Sequence, residues 1–128
     1  MTATLYDLII DQGTDYERDW VIEQLTDDNL PYDPDTNPYI PFDLTGCTAN
    51  MAIRTTPDTA PVLVFSEVYG IQLNGALGTF SLTITASDSN SVVFTGLEYQ
   101  GIYNLEILSG RQVYRTLQGN VFMNRNLN

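Results

Sequence analysis

Residues alternate between two predicted faces from Cys47 to Arg54, and this alternation constrains the fold of the 128-residue chain more than any other feature. A repeat of two residues is typical of a strand with one buried side and one solvent-facing side. Gly46 tolerates a positive φ and, with Asp43 before it, predicts a turn in front of the strand. The predicted buried side carries Cys47, Ala49, Met51 and Ile53, and the other side carries Thr48, Asn50, Ala52 and Arg54.

Short apolar or alternating runs, separated by turn residues, recur along the rest of the chain. Ala86 to Val93 predicts a single helical turn that crosses between sheets, and Phe80 and Tyr103 are predicted core residues. About eight strands at this spacing indicate an all-β, antiparallel β-sandwich in one domain, residues 1–128. The other predicted strands are Leu5–Ile10, Thr14–Leu25, Val62–Phe65, Tyr69–Leu73, Gly78–Ile84, and a long antiparallel pair that begins at Gly101, turns at Ser109–Gly110 and returns over Arg111–Met123.

A proline-rich segment, residues 26–41, interrupts this pattern. Its four prolines are expected to prevent a regular strand or helix and to favour an extended, stiff loop. Loops of this length in small domains are usually functional or disordered. We predict an arm that binds a partner, with a flexible linker as the alternative. The candidate contact residues in the arm are Leu30, Tyr32, Tyr39 and Ile40.

The charge balance excludes several classes of partner. Sixteen acidic residues face five basic ones, for a formal net charge of −11, and all five bases are arginines. Such a field repels nucleic acid and anionic lipid, and no apolar run approaches the roughly 18 residues of a membrane span. Arginine suits bidentate pairing at interfaces, so Arg111 and Arg125 are further candidate partner-binding residues. Because lysine commonly protects sheet edges, its absence suggests edges covered by neighbouring subunits in a homo-oligomer or array.

The sequence contains no recognisable catalytic machinery. It has no histidine to activate a nucleophile, and the single cysteine, Cys47, lies on the apolar side of its strand as a predicted buried thiol. Asp33, Asp35 and Asn37 imitate the first three ligand positions of a calcium loop. Pro38 and Leu44, however, occupy the positions that require glycine and a bidentate acid. We therefore predict no enzyme activity, no cofactor and no specific metal site, with adventitious calcium binding by the acidic loop as the alternative.

Several short motifs together resemble one family. The chain is similar to the small immunoglobulin-like virion proteins of tailed bacteriophages, a group similar to the N-terminal domain of baseplate upper proteins. The resemblance covers almost the whole chain and implies an immunoglobulin-like form of the predicted sandwich. The 26–41 loop departs from the family, because it is longer and richer in proline than the hairpin expected there. The motifs are Ile10–Gly13, Asp43–Gly46 leading into Met51–Arg54, Gly70–Leu73, Gly78–Leu82, Tyr103–Glu106 and Tyr114–Gly119.

The resemblance implies a non-enzymatic structural protein of the virion, assembled in the host cytoplasm. Two locations remain open: a capsid decoration or cement subunit, or an adaptor in the neck, baseplate or fibre region. The implied partners are other virion proteins, namely major capsid, neck or tail subunits. The alternative is a host-surface or glycan-binding module displayed on the particle, whose loop tyrosines stack on sugars.

Overall fold

The computed structural model describes residues 4–128, which form an all-β protein with one short α-helix, α1 (Ala86–Asn90), and one 3-10 turn (Gly75–Leu77). In α1, the Thr85 hydroxyl accepts the backbone N–H of Asp88, and the Asp88 carboxylate accepts that of Thr85. This helix confirms the helical turn predicted there. The strands are β1 (Thr4–Leu5), β2 (Leu8–Asp11), β3 (Tyr16–Val21), β4 (Glu23–Leu25), β5 (Tyr39–Pro41), β6 (Thr48–Arg54), β7 (Pro61–Ser66), β8 (Ile71–Asn74), β9 (Thr79–Ile84), β10 (Glu98–Ser109) and β11 (Gln112–Asn124).

The strands form three sheets. A large six-stranded sheet has the order β1-β11-β10-β6-β7, with β2 also paired to β11. A small sheet has the order β3-β9-β8, and β4 pairs with β5 in a two-stranded sheet. Most neighbours are antiparallel, but β1 and β2 both run parallel to β11, which differs from the wholly antiparallel arrangement predicted. The first and last strands of the chain are thus neighbours at one edge of the large sheet.

One buried hydrophobic cluster receives side chains from the large and the small sheet. The predicted inward face of β6 is confirmed, as are Phe80 and Tyr103 as core residues. Cys47 is only partly buried and packs against the edge of this cluster. Cys47 nevertheless lies on the predicted apolar side, with Ala49, Met51 and Ile53. Residues with less than 2 % exposure include Met51, Ile53, Phe65, Phe80, Leu82, Ile84, Leu105 and Ile107.

Eleven strands replace the predicted eight among the described residues, because two predicted strands are each divided and β5 is added. The first predicted strand, Leu5–Ile10, breaks at residues 6 and 7, where the Asp7 carboxylate accepts the backbone N–H of Asn120 at 2.9 Å. The second predicted strand, Thr14–Leu25, breaks at Ile22, whose N–H donates to the Gly78 carbonyl at 2.7 Å. These hydrogen bonds come from residues far away in sequence, so local alternation does not predict them.

The prediction that prolines prevent any strand in residues 26–41 is wrong at the end of that segment. Residues 39–41 form β5, with Tyr39 opposite Leu25 and Pro41 opposite Glu23. Proline is tolerated at the edge or end of a sheet, where a ladder hydrogen bond is not needed. The loop is therefore held at both ends by a short antiparallel pair.

Within the described residues, no helix is long and apolar enough to cross a membrane.

Candidate functional site

The side chain of Asn37 organises the 26–41 loop from within. It is 2 % exposed, and its Oδ1 accepts the backbone N–H of Asp27 at 2.7 Å. Its Nδ2 lies 2.9 to 3.1 Å from three backbone carbonyls, those of Asp27, Leu30 and Pro31. A buried amide with all its polar atoms bonded rigidifies the backbone around it. The loop is consequently folded on itself rather than extended as predicted.

A second set of bonds closes the tip of the loop. Asp33 and Asn37 exchange backbone hydrogen bonds of 3.1 and 2.8 Å, which encloses residues 34–36. The Asp33 carboxylate accepts the backbone N–H of Asp35 at 2.9 Å and that of Thr36 at 3.3 Å. These donors, first Asp35 and then Thr36, hold the pKa of Asp33 below its ordinary value. At neutral pH the ionised Asp33 therefore supports the turn that presents Asp35.

The base of the loop is tied to the small sheet. The N–H of Phe42 donates to the Ile22 carbonyl at 2.8 Å, and the N–H of the same Ile22 donates to the Gly78 carbonyl. Gly78 has φ +68°, and a Cβ there would lie 2.7 Å from the Ile22 oxygen and 2.9 Å from the Phe42 oxygen. Only glycine fits this close approach of three backbone segments. The ring of Phe42 also packs edge-on against Tyr114 of β11, with centroids 5.5 Å apart.

The structure brings two of the predicted contact residues directly together. The rings of Tyr32 and Tyr39 stack with centroids 4.9 Å apart and an interplanar angle of 19°. Each tyrosine is 52 % exposed, so about half of the pair faces solvent. Ile40 follows Tyr39 in β5, and Leu30 is exposed in the same loop. Exposed, preordered aromatic surface is typical of protein interfaces.

The charged side chains of the loop are all of one sign. Residues 26–41 contain four aspartates, Asp27, Asp28, Asp33 and Asp35, and no basic residue. The amide of Asn37 is turned inward, so it does not point outward with Asp33 and Asp35 as a calcium ligand would. Among residues 4–128, no group of three Asp, Glu, Cys or His side chains lies close enough to hold a metal ion. The charge of the loop instead favours contact with a basic surface.

The two predicted arginines lie outside the loop. Arg111 is exposed in the turn between β10 and β11, three residues from Tyr114, which contacts Phe42 at the loop base. The guanidinium of Arg125 donates to the carbonyls of Phe94 and Gly96, both at 3.2 Å. Arg125 thus packs against a different segment from the stacked tyrosines. The role of both arginines in partner binding stays a prediction.

The sequence interpretation missed the structural role of Asn37, which it weighed only as a calcium ligand. An asparagine directly before a proline is a turn signal, and the Asn37–Pro38 pair carries that signal. No protein-family model matches the chain, and no curated protein matches it.

Proposed function

We propose that this chain is a non-enzymatic structural protein of a tailed-phage virion and attaches to the particle by complementary surfaces. The sequence motifs support this proposal, and an immunoglobulin-like sandwich is the form of the all-β fold that they imply. Two sheets that share one core are compatible with such a sandwich. The proposed roles are capsid decoration or cementing, or an adaptor in the neck, baseplate or fibre region.

The observation that carries the proposal is the preordered 26–41 loop with its stacked tyrosines. A partner that binds a flexible arm must offset the entropy lost by ordering it. Here the Asn37 hydrogen bonds and the β4–β5 pair hold the backbone before any partner arrives. Tyr32 and Tyr39 then present a large contact area with little further ordering cost.

The first experiment tests whether the protein belongs to the particle. Virions produced from the genome that encodes this chain are purified on a density gradient and analysed by mass spectrometry. The expected result is the chain at a fixed copy number per particle, with its position given by antibody labelling. A chain that is abundant in the lysate and missing from purified virions contradicts the proposal.

The second experiment tests whether the loop is the attachment surface. Deleting Leu30 to Ile40 would cut into β5, so a better variant replaces residues 27–37 with Asn-Gly, a two-residue hairpin turn. The same variant carries Pro38→Thr, because the residue after such a turn must donate a backbone N–H that proline lacks. Thr26 already donates to the Pro38 carbonyl at 3.1 Å, which suits a tight hairpin. The variant should fold, as judged by circular dichroism, and fail to join particles.

Point variants test the contribution of the tyrosine side chains separately from that of the loop backbone. Tyr32→Ala and Tyr39→Ala remove the stacked pair and should reduce incorporation into particles. Tyr69→Ala is the matched control, because Tyr69 is 53 % exposed and also stacks on another ring, that of Phe65. Undiminished incorporation of folded loop variants shows that attachment uses another surface.

A second candidate function, glycan binding, is favoured by a polar groove of about 450 Å³ at the C-terminal end of the described chain. The ring of Phe94 lies beside Arg125 in this groove, and carboxamides surround them. Rings and amides are suited to stacking on sugars and bonding their hydroxyl groups. Specific binding on a glycan array, abolished by Phe94→Ala, would favour this candidate over an assembly subunit. The lining amides come from Gln12, Asn90, Asn126 and Asn128.

A further inference from the structure

The outer face of the large sheet carries an open groove of about 550 Å³. Along one row of this face, Asn104 of β10 lies in register with Gln118 of β11 on one side and Ala52 of β6 on the other. Leu5 of β1 continues the row beyond Gln118 and is 76 % exposed. The floor of the groove is therefore a mixture of amide groups and apolar side chains.

This groove concentrates positive charge in an acidic protein. Arg54 and Arg115, two of the five basic residues, line it, and no Asp or Glu of the described chain is among its lining residues. The Nη1 of Arg54 donates to the Thr59 carbonyl at 2.7 Å, which holds its guanidinium in place. Glu106 lies opposite Arg115 in the ladder, but its carboxylate accepts the side-chain amide of Asn104 at 3.0 Å. The groove is thus suited to an acidic ligand that also offers apolar or aromatic contacts.

The 26–41 loop is acidic and also offers apolar and aromatic contacts. It contains four aspartates and no basic residue, and it exposes Leu30 and the stacked tyrosines. Asp35 stands at the tip, between the bridged residues Asp33 and Asn37, and is exposed. Its backbone N–H supports the turn, while its side chain is not needed for that bond.

We propose that the groove binds the 26–41 loop of a second copy of this chain, with Asp35 of the loop facing Arg115 of the groove. This inference rests on the proposed function, in which the loop is the attachment surface, and it names the partner of that loop. Leu30 and Tyr32 pack against the apolar floor formed by Leu5 and Ile102. Because the contact joins two different surfaces, it repeats head to tail unless both contacts form reciprocally within one pair.

Local attraction competes with the repulsion between two chains of net charge −11. At about 0.15 M ionic strength, interactions between exposed charges are largely screened beyond about 8 Å, so distant like charges contribute little. Arginine–carboxylate pairs in contact are screened less when they become partly buried at an interface. Self-association is therefore expected at physiological salt.

Sedimentation equilibrium of the full chain, of three variants that change the contact and of one control variant tests the proposal. Arg115→Asp and Asp35→Arg each place like charges opposite one another and should weaken self-association about tenfold or more. The double variant Asp35→Arg with Arg115→Asp exchanges the two charges and should restore association to near that of the unmodified chain. Asp19→Arg is the control, since it changes net charge as Asp35→Arg does but lies exposed on β3, outside loop and groove.

The outcomes are separable from those of the proposed function. Self-association that is lost in both single variants and restored in the double variant supports the inference, whether the product is a dimer or a longer oligomer. A folded chain that stays monomeric, or a double variant that fails to recover, overturns it. If the Asn-Gly loop replacement still abolishes incorporation into virions, the proposed function survives and the partner of the loop is another virion protein. Retained incorporation overturns the part of the proposed function that makes the loop the attachment surface.

Discussion

At the scale of single residues, Asn37 does most to convert a proline-rich segment into a defined surface. Proline limits φ at residues 31, 34, 38 and 41 but supplies no hydrogen-bond donor. Asn37 supplies both a donor and an acceptor to the backbone of residues 27–31. The stacking of Tyr32 on Tyr39 depends on that backbone being closed.

The residue-scale prediction concerns Asn37→Ala. Because the side chain is buried and fully bonded, its removal leaves backbone groups of the loop unpaired and should lower the free energy of unfolding by about 1–3 kcal/mol. Urea denaturation measures this change, and faster amide hydrogen exchange at residues 27–37 localises it. Asn29→Ala is the matched control and should change stability by less than about 0.5 kcal/mol, as surface substitutions usually do. Equal effects of the two substitutions would show that Asn37 does not organise the loop.

At the scale of elements, the edges of the large sheet are protected without lysine. Pro61 begins the edge strand β7, and a register shift lies opposite it between Ile53 and Arg54. At the other end, Ser66 and Tyr69 exchange backbone hydrogen bonds of 2.8 and 2.9 Å. A proline, a bulge and a turn each discourage edge-to-edge pairing. These three features protect the edge strand β7, and the covering of sheet edges by neighbouring subunits stays a prediction.

The opposite edge is held by Tyr103 of β10. Its hydroxyl donates to the Tyr6 carbonyl at 2.6 Å, at the break between β1 and β2. Burial, followed by the charges of Tyr16 and Asp7, raises the pKa of Tyr103 above its ordinary value. The neutral hydroxyl is thus the form that the folded state requires.

The element-scale prediction concerns Tyr103→Phe. Loss of this hydrogen bond leaves the Tyr6 carbonyl without its partner and should lower the free energy of unfolding at pH 7 by about 1–2 kcal/mol. Urea denaturation measures the change. Tyr32→Phe is the control, because the Tyr32 side chain is half exposed, and its stability should change by less than about 0.5 kcal/mol. A Tyr103→Phe protein as stable as the unmodified chain contradicts the assigned role.

The same substitution should flatten the alkaline pH profile. A raised folded-state pKa contributes stability that is complete below the unfolded value, about 10, and is lost as pH rises through the folded value. The unmodified protein should therefore lose stability above about pH 10. Tyr103→Phe should lose less over that range, with a residual slope from Tyr16, whose pKa burial raises to about 12. An unchanged slope would show that Tyr103 does not contribute to it.

At the scale of the whole molecule, the N-terminal segment joins the two main sheets. Tyr6 packs edge-on against Trp20 of the small sheet, with centroids 5.3 Å apart, while its backbone bonds the large sheet. Trp20 in turn stacks on Phe80 at 5.3 Å. The single tryptophan of the chain therefore lies where the small sheet meets the N-terminal segment.

The whole-molecule prediction is cooperative unfolding of the two sheets. Because they share one core, Trp20 fluorescence and far-ultraviolet circular dichroism should give the same urea midpoint. The common slope should be about 1–3 kcal/mol per molar urea, the range for small domains. Two separate midpoints would show that the small sheet and the N-terminal segment unfold apart from the large sheet.

Sequence patterns predicted the strands that alternate, and they failed where distant backbone groups intervene. β6, β9 and the β10–β11 pair were predicted as strands, and the inward face of β6 was predicted with them, because alternation is a local property of an extended backbone. β5 and the break at Ile22 were missed, because both depend on bonds to residues outside their own segment. For the candidate site, the exposed loop residues were predicted, but the Asn37 hydrogen bonds that order them were not.

The sequence alone determined where the alternating strands lie and which side of β6 faces the core. Only the tertiary structure decided that β2 pairs in parallel with β11, that Asn37 turns inward, and that Arg54 and Arg115 line one groove. The reason is that side-chain alternation is set by neighbouring residues. The partner of a hydrogen bond and the convergence of two arginines from different strands depend on how distant parts of the chain pack together.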